Sequence, residues 1–362
     1  MSEATNTTTS AATLARAPAK HRIADSAGIG WGTLLRRWET LLLAVLAAVV
    51  LVGSLSLRDF LDPYNLADAT FNFSEKALIA LAMALLIFVR EIDISVSAII
   101  AVASVAMGYA NTQGVPPAGL ALIGIGTGAL CGAFNGALVT RLGIPSIVVT
   151  IGTMSLYRGI ALVALGDKAF TGYPETLQVL GNGYLGDLLG LPWLIVPIEF
   201  ALLLVCAAGV GAVLHFTVTG RRVFAIGANP IAARFSGIEV DRIRLALFIV
   251  AGLAAALAAV MLTGRIGSTR PNIALGWELD AVTMVILGGV AIEGGRGSIV
   301  GVMLAVLLLG LFTFALGMAN VSGIVMSMIV GVLLIGAMVL PRLLPGLLAR
   351  LRRAAAVTAA RA

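Results

Sequence analysis

The chain has 362 residues, 59% of them hydrophobic and 12% charged, with a mean hydropathy of +1.03 and a formal net charge of +6. That apolar fraction far exceeds the roughly 45–50% of soluble domains, which excludes an ordinary water-soluble enzyme and points to an all-α, polytopic membrane protein. The positive balance reads as arginines collected beside one face of a bilayer, so it gives no reason to expect nucleic-acid binding.

Residues 1–38 are rich in Thr, Ala and Ser without an apolar run and read as a disordered cytoplasmic tail. A basic start leading directly into an apolar core is missing there, so the first span is expected to act as an uncleaved anchor. Windows of roughly 20 apolar residues match the thickness of a bilayer core. They place about ten spanning helices within 39–340, at 39–57, 73–90, 94–111, 116–140, 145–165, 192–216, 245–264, 277–292, 299–318 and 322–340. The second and eighth are short for a full span and read as tilted partners or broken helices. Residues 341–362 form a basic cytoplasmic tail. Cys131 and Cys206 fall inside spans as small buried residues that need neither a disulfide nor a metal.

Charge orients the bundle, because Lys and Arg in short loops gather on the cytoplasmic side. Ten spans with both termini inside put 18 of the 24 basic residues in the cytoplasm. Arg58, Lys76, Lys168, Arg265 and Arg270 fall outside, among Asp59, Asp62, Asp68, Asp167, Glu175 and Asp187, while Arg158 lies within a span.

Along the fourth span, Gly124, Gly128, Gly132 and Gly136 recur every four residues and therefore share one helical face, where a neighbouring backbone can approach closely. Asn135 stands beside this seam and can either hydrogen-bond across helices or line a path.

The loop 217–244 carries Arg221, Arg222, Arg234, Arg242 and Arg244 between two long apolar runs. Within it Asn229 suits a helix N-cap, Pro230 the first helical position, and Gly237 the left-handed residue past a helix end. The intervening Ile231, Ala232, Ala233, Arg234 and Phe235 make a helix too short to be stable alone in water. Ile231 and Phe235, at i and i+4, form one apolar ridge beside Arg234. Such a knob either docks in a groove on another protein or rests on the membrane surface.

Three stretches carry a family resemblance. RRVFAIGANPIAARFSGIEVDRIR resembles the cytoplasmic loop of permease subunits of bacterial ABC monosaccharide importers, the ribose, rhamnose and autoinducer-2 type. Ala232, Ala233 and Gly237 keep the spacing of their loose alanine–alanine–glycine signature, with Ile231 in place of its acidic residue. EIDISVSAI at 91–99 is similar to the family's glycine-glycine-isoleucine-aspartate-leucine-serine motif, with Asp93 and Ser95 kept and the glycines lost. GWELDAVTMVILGGVAIEGGRGSIVG at 276–301 is close to the family pattern throughout. YNLADATFNFSEKALIALAMALLIFVREIDIS looks most like the rhamnose-type permeases.

The resemblance implies a type II importer architecture in the bacterial inner membrane, with an inverted repeat relating spans two to five and seven to ten. Two permeases, the same chain or a sister, would enclose the pathway. An extracytoplasmic sugar-binding protein would deliver substrate, and a cytoplasmic ABC ATPase, binding ATP and Mg, would grip a coupling helix at Asn229–Gly237. The residues agree with this division of labour, because Lys20, Lys76 and Lys168 are the only lysines and none lies in a P-loop. The chain itself is expected to hold no catalytic residue, metal or cofactor, with His21 and His215 outside any cluster. Asn72, Asn135, Thr150, Ser155, Tyr157, Arg158 and Trp277 are the candidates for lining the translocation path. Glu278 and Asp280 fit an outer mouth or a helix N-terminus. The rival class is an ion-coupled secondary transporter, which needs ionisable groups in mid-membrane. Arg158 and Glu199 are its candidates, Glu199 being placed near the outer end within reach of headgroups.

Overall fold

The computed structural model describes residues 38–333 together with 335, 336 and 339, so the expectations for the tail before Trp38 and for 341–362 lie outside the described residues. The bundle is helical apart from one two-stranded ribbon. In chain order it comprises α1 (Trp38–Ser56), α2 (Pro63–Phe88), α3 (Val96–Thr112), α4 (Pro117–Arg141) and α5 (Ser146–Leu165). There follow β1 (Phe170–Thr171), α6 (Glu175–Asn182), α7 (Leu185–Leu189), α8 (Ile198–Phe216), α9 (Val218–Ala228), α10 (Pro230–Phe235) and α11 (Val240–Ile266). The last elements are β2 (Ser268–Thr269), α12 (Trp277–Leu287), α13 (Ile299–Met318) and α14 (Gly323–Leu333).

Each of the ten expected windows holds a helix. Among the described residues seven are long and apolar enough to cross a membrane: α1, α2, α4, α5, α8, α11 and α13. The second span is corrected in length: it is not short, because Asp62 caps α2 ten residues earlier than expected, accepting from the backbone N–H groups of Tyr64 and Asn65, with Pro63 in the first turn. Lys76 consequently sits in the middle of α2 and not in an outer loop. The eighth is a broken helix, since α12 has only 11 residues and stops at Gly288. A Cβ on Gly288 would lie 2.6 Å from Val302 Cα, so the end of α12 is pressed against the start of α13.

Two helices form the centre. The most apolar window of α2 is 89% buried and that of α11 is 61% buried, against 11% for α1 at the edge. α11 packs along α4, α2, α6 and α3, and the glycine seam explains how closely. A Cβ on Gly128 would collide with the Gly252 carbonyl and Ala256, one on Gly132 with the Phe248 carbonyl, and one on Gly136 would lie 2.9 Å from Phe248 Cβ. A Cβ on Gly124 would meet Met107 of α3 instead, 2.7 Å from its sulfur. α1 is fastened at one end, where Trp38 Nε1 donates to the Leu287 carbonyl at 2.7 Å and Glu39 accepts from Ser298 Oγ at 3.0 Å. At the opposite end β1 and β2 pair antiparallel, Phe170 with Thr269.

Candidate functional site

The loop between α8 and α11 is built from helices rather than irregular chain. Thr217 caps α9 through its Oγ1, which accepts from Gly220 N–H at 3.3 Å. Asn229 both ends α9 and starts α10, its Oδ1 accepting from Ile231 N–H at 3.0 Å and Ala232 N–H at 3.1 Å. Pro230 occupies the first turn, and Gly237 has φ +79°, which closes the turn after α10. Ala233 faces inward and is buried, whereas Ile231 and Phe235 are 68% and 90% exposed. The apolar ridge therefore projects from the bundle instead of packing into it. Arg234 pairs with Asp241 at 2.5 Å and Arg242 with Glu239 at 2.6 Å, both exposed, so these two arginines also stiffen the base of α11.

Behind α10 lies a tight knot of backbone. Arg90, just past α2, donates from Nε to the Gly227 carbonyl at 2.6 Å and from Nη2 to the Ala228 carbonyl at 2.7 Å. A guanidinium on the last carbonyls of α9 complements that helix end electrostatically. Gly295 N–H donates to the Phe88 carbonyl at 3.0 Å, and a Cβ on Gly227 would strike that same carbonyl and Gly295. Gly294 and Gly295, at φ +80° and +72°, let the 291–297 loop fold into this space. Arg244, grouped in the sequence with the loop arginines, belongs to α11 and pairs at 3.1 Å with the buried Glu91. The end of α2, the end of α9 and the 291–297 loop thus converge directly beneath the exposed ridge.

The candidate path residues do not form one surface. Asn135 is fully buried: its Nδ2 donates to Ser95 Oγ at 2.8 Å and its Oδ1 accepts from Tyr157 OH at 3.1 Å. Asp93 completes this network, its Oδ1 accepting from Ser95 N–H at 2.8 Å and Ser95 Oγ at 2.6 Å. Thr150 donates to the Ile92 carbonyl at 3.4 Å. The polar groups of Asn135, Thr150 and Tyr157 thus knot the start of α3 to α4 and α5, and for Asn135 this is the hydrogen bonding across helices that the sequence allowed. Burial in an apolar interior makes an unmade hydrogen bond costly, which favours such mutual satisfaction. The kept Asp93 and Ser95 were the sequence signal for this knot, but their partners came from other helices.

Arg158 is held between backbone carbonyls, its Nη1 donating to Pro271 and Ile273 at 2.9 Å each. Ser155 is exposed and bonds only the Ile151 carbonyl, at 3.3 Å. Asn72 donates to the Asp68 carbonyl at 3.0 Å on its own helix. Trp277 is half-buried under the Lys76 ammonium, 5.3 Å from its ring centre.

Sequence reasoning missed a belt of charges inside the bundle. Glu75 is fully buried on α2 and accepts from Arg265 Nε of α11 at 2.7 Å. Lys76, its neighbour, pairs with Asp280 of α12 at 2.6 Å. Consecutive residues on a helix point about 100° apart, so α2 is clamped to a different neighbour on each side. Glu199 is corrected: it is fully buried against Glu75 and does not reach outward to headgroups. Glu278 and Asp280 lie in the first turn of α12, where acidic groups complement the helix dipole. Near the β1–β2 ribbon, Ser104, Thr263, Thr269 and Tyr173 form a buried hydroxyl cluster with contacts of 2.6–2.7 Å. Burial pushes the Tyr173 phenol up to about 12. Among the described residues no group of three His, Cys, Asp or Glu side chains is placed to hold a metal.

A bundle of helices long and apolar enough to cross a membrane, with a short capped helix projecting from one end, defines a polytopic membrane protein. The sequence profile of the family described as branched-chain amino acid transport system / permease component matches residues 65–338, and the chain belongs to that family. It is 34% identical over 308 residues to the autoinducer 2 import system permease protein LsrD of Photorhabdus luminescens, covering 83% of this chain and 90% of that protein. It is 34% identical over 296 residues to the ribose import permease protein RbsC of Bacillus subtilis, covering 81% and 89%. The LsrD protein of Escherichia coli K12 is 36% identical over 305 residues, covering 82% and 90%. No solved structure matches.

Proposed function

We propose that this chain is the transmembrane permease subunit of an ABC importer that carries a small, polyhydroxylated, sugar-like substrate inward. ATP and Mg are bound and ATP is hydrolysed on a separate cytoplasmic ATPase, which grips α10 as the coupling helix. The observation that carries this reading is the projection of Ile231 and Phe235 from a helix fixed at both ends by Asn229 and Gly237. An apolar ridge held rigidly away from its own bundle suits a groove on a partner, and the knot at Arg90 and Gly227 gives it a stiff connection to α2. Movement of the ridge then biases the packing of α2 against α9 and the 291–297 loop, a mechanical route to alternating access. Both termini and α10 lie in the cytoplasm, as the sorting of arginines favours. A second permease, identical or a sister, completes the pathway, and an extracytoplasmic binding protein supplies the substrate.

Ribose and autoinducer 2 are the substrates suggested by the relatives, and rhamnose is the one suggested by the sequence of α2. Stimulation of ATP turnover by each purified binding protein loaded with its sugar, in vesicles holding this chain and its ATPase, ranks the three. Copurification of the ATPase tests the coupling role. Ile231→Asp with Phe235→Asp is expected to abolish it while membrane insertion persists. Undiminished copurification would assign α10 to the membrane surface instead.

A further inference from the structure

At the end of the bundle opposite α10, the end of α5 and the chain following β2 border an open cavity of about 630 Å³ lined by Arg158, Lys168 and Arg270, with Asp167 and Asn272. Its charge is unbalanced. Among the described residues none of the three cations takes part in an ion pair. Arg158 is the fixed member: its Nη1 is committed to two carbonyls, while its Nη2 is buried with no hydrogen-bond partner. Glu278 is the acid whose charge reaches Arg158, yet it lies beyond ion-pairing distance and leaves its own Oε2 unpartnered. Counting Asp167 and Glu278 against three cations still leaves the site net positive. A planar guanidinium beside a second arginine and an ammonium is suited to a phosphate group.

The rim indicates which phosphate. Leu162 and Leu275 line the same cavity and are 51% and 68% exposed, so an apolar wall continues directly from the cationic floor. A free anion makes no use of such a wall, whereas an amphiphile places its headgroup on the cations and its acyl chain along the leucines. We propose that this cavity binds the phosphate headgroup of an anionic phospholipid. The lipid neutralises Arg158 and ties the 270–275 segment to α5. This inference does not depend on the transport reading.

The test is native mass spectrometry of the full-length permease, extracted in mild detergent and offered phosphatidylglycerol, phosphatidylcholine or inorganic phosphate. The wild-type chain is expected to retain phosphatidylglycerol in preference to phosphatidylcholine. Lys168→Gln combined with Arg270→Gln is expected to weaken that retention about thirtyfold, from roughly 1 kcal/mol for each basic residue removed. Both residues are exposed, so the fold should survive; an unchanged melting temperature in phosphatidylcholine checks this, and Lys168→Arg with Arg270→Lys should restore binding. Equal retention of the two lipids, or equal retention of phosphatidylglycerol by wild type and Gln variant, would overturn the proposal. Stabilisation by inorganic phosphate matching that by phosphatidylglycerol would overturn the lipid assignment in favour of a soluble anion.

Discussion

Arg90 reaches from the end of α2 to the carbonyl of Gly227, 2.6 Å away and two residues before the cap of α10. It does so from a left-handed backbone, φ +66°, which costs a non-glycine residue about 1–2 kcal/mol. Hydrogen bonds from a charged donor contribute about 1.5–3 kcal/mol each and offset that strain. Arg90→Ala is expected to leave ATPase copurification intact while lowering substrate uptake per ATP hydrolysed about tenfold, the equivalent of about 1.4 kcal/mol. Uptake and hydrolysis measured together in proteoliposomes check it; an unchanged ratio would remove Arg90 from the coupling route.

Gly132→Ala and Gly152→Ala make a matched pair. The first drives a methyl into the Phe248 carbonyl of α11, whereas nothing lies within 4 Å of the second. Overpacking costs about 1–3 kcal/mol. Thermal unfolding in detergent should show Gly132→Ala melting several degrees below wild type and Gly152→Ala at or above it.

The carboxyl groups of Glu75 and Glu199 are buried side by side, and Glu75 also accepts from Arg265 Nε. Glu75→Gln removes the ion-pair partner of the part-buried Arg265 and is expected to destabilise by about 1–3 kcal/mol, the cost of leaving a part-buried donor unpaired. Glu199→Gln replaces the second carboxyl group crowded against Glu75 by an amide of the same shape, and is expected to leave stability unchanged or raised. Melting temperatures of the two variants at one pH decide; equal losses would show that Glu199 does more than crowd Glu75.

Gly237→Val places a β-branched residue at φ +79° with no atom within 4 Å to clash, so its effect is purely conformational. It is expected to abolish coupled uptake by unseating α10. Gly237→Asn, which tolerates the left-handed region, should retain most of it. Uptake assays at matched expression compare them.

The sequence by itself determined the solvent, the helices and the segment that forms α10. Apolar run length placed a helix in each of the ten expected windows, because a bilayer core demands long apolar runs, and seven of those helices are long and apolar enough to cross a membrane. Asn229, Pro230 and Gly237 marked α10, because capping is local chemistry set by residues a few positions apart. The four-residue glycine repeat marked a close approach, although not that α11 is the helix approached.

Tertiary structure alone decided the partners of the polar interior. Lys76 and Asp280 are separated by 204 residues, Arg265 and Glu75 by 190, and Asn135 and Asp93 by 42. A charge in a membrane helix signals only that some partner is required. Which helix supplies it depends on how the bundle closes, and that is why the sequence left Asn135 open between a bond across helices and a path, while the fold commits it to Ser95 and Tyr157.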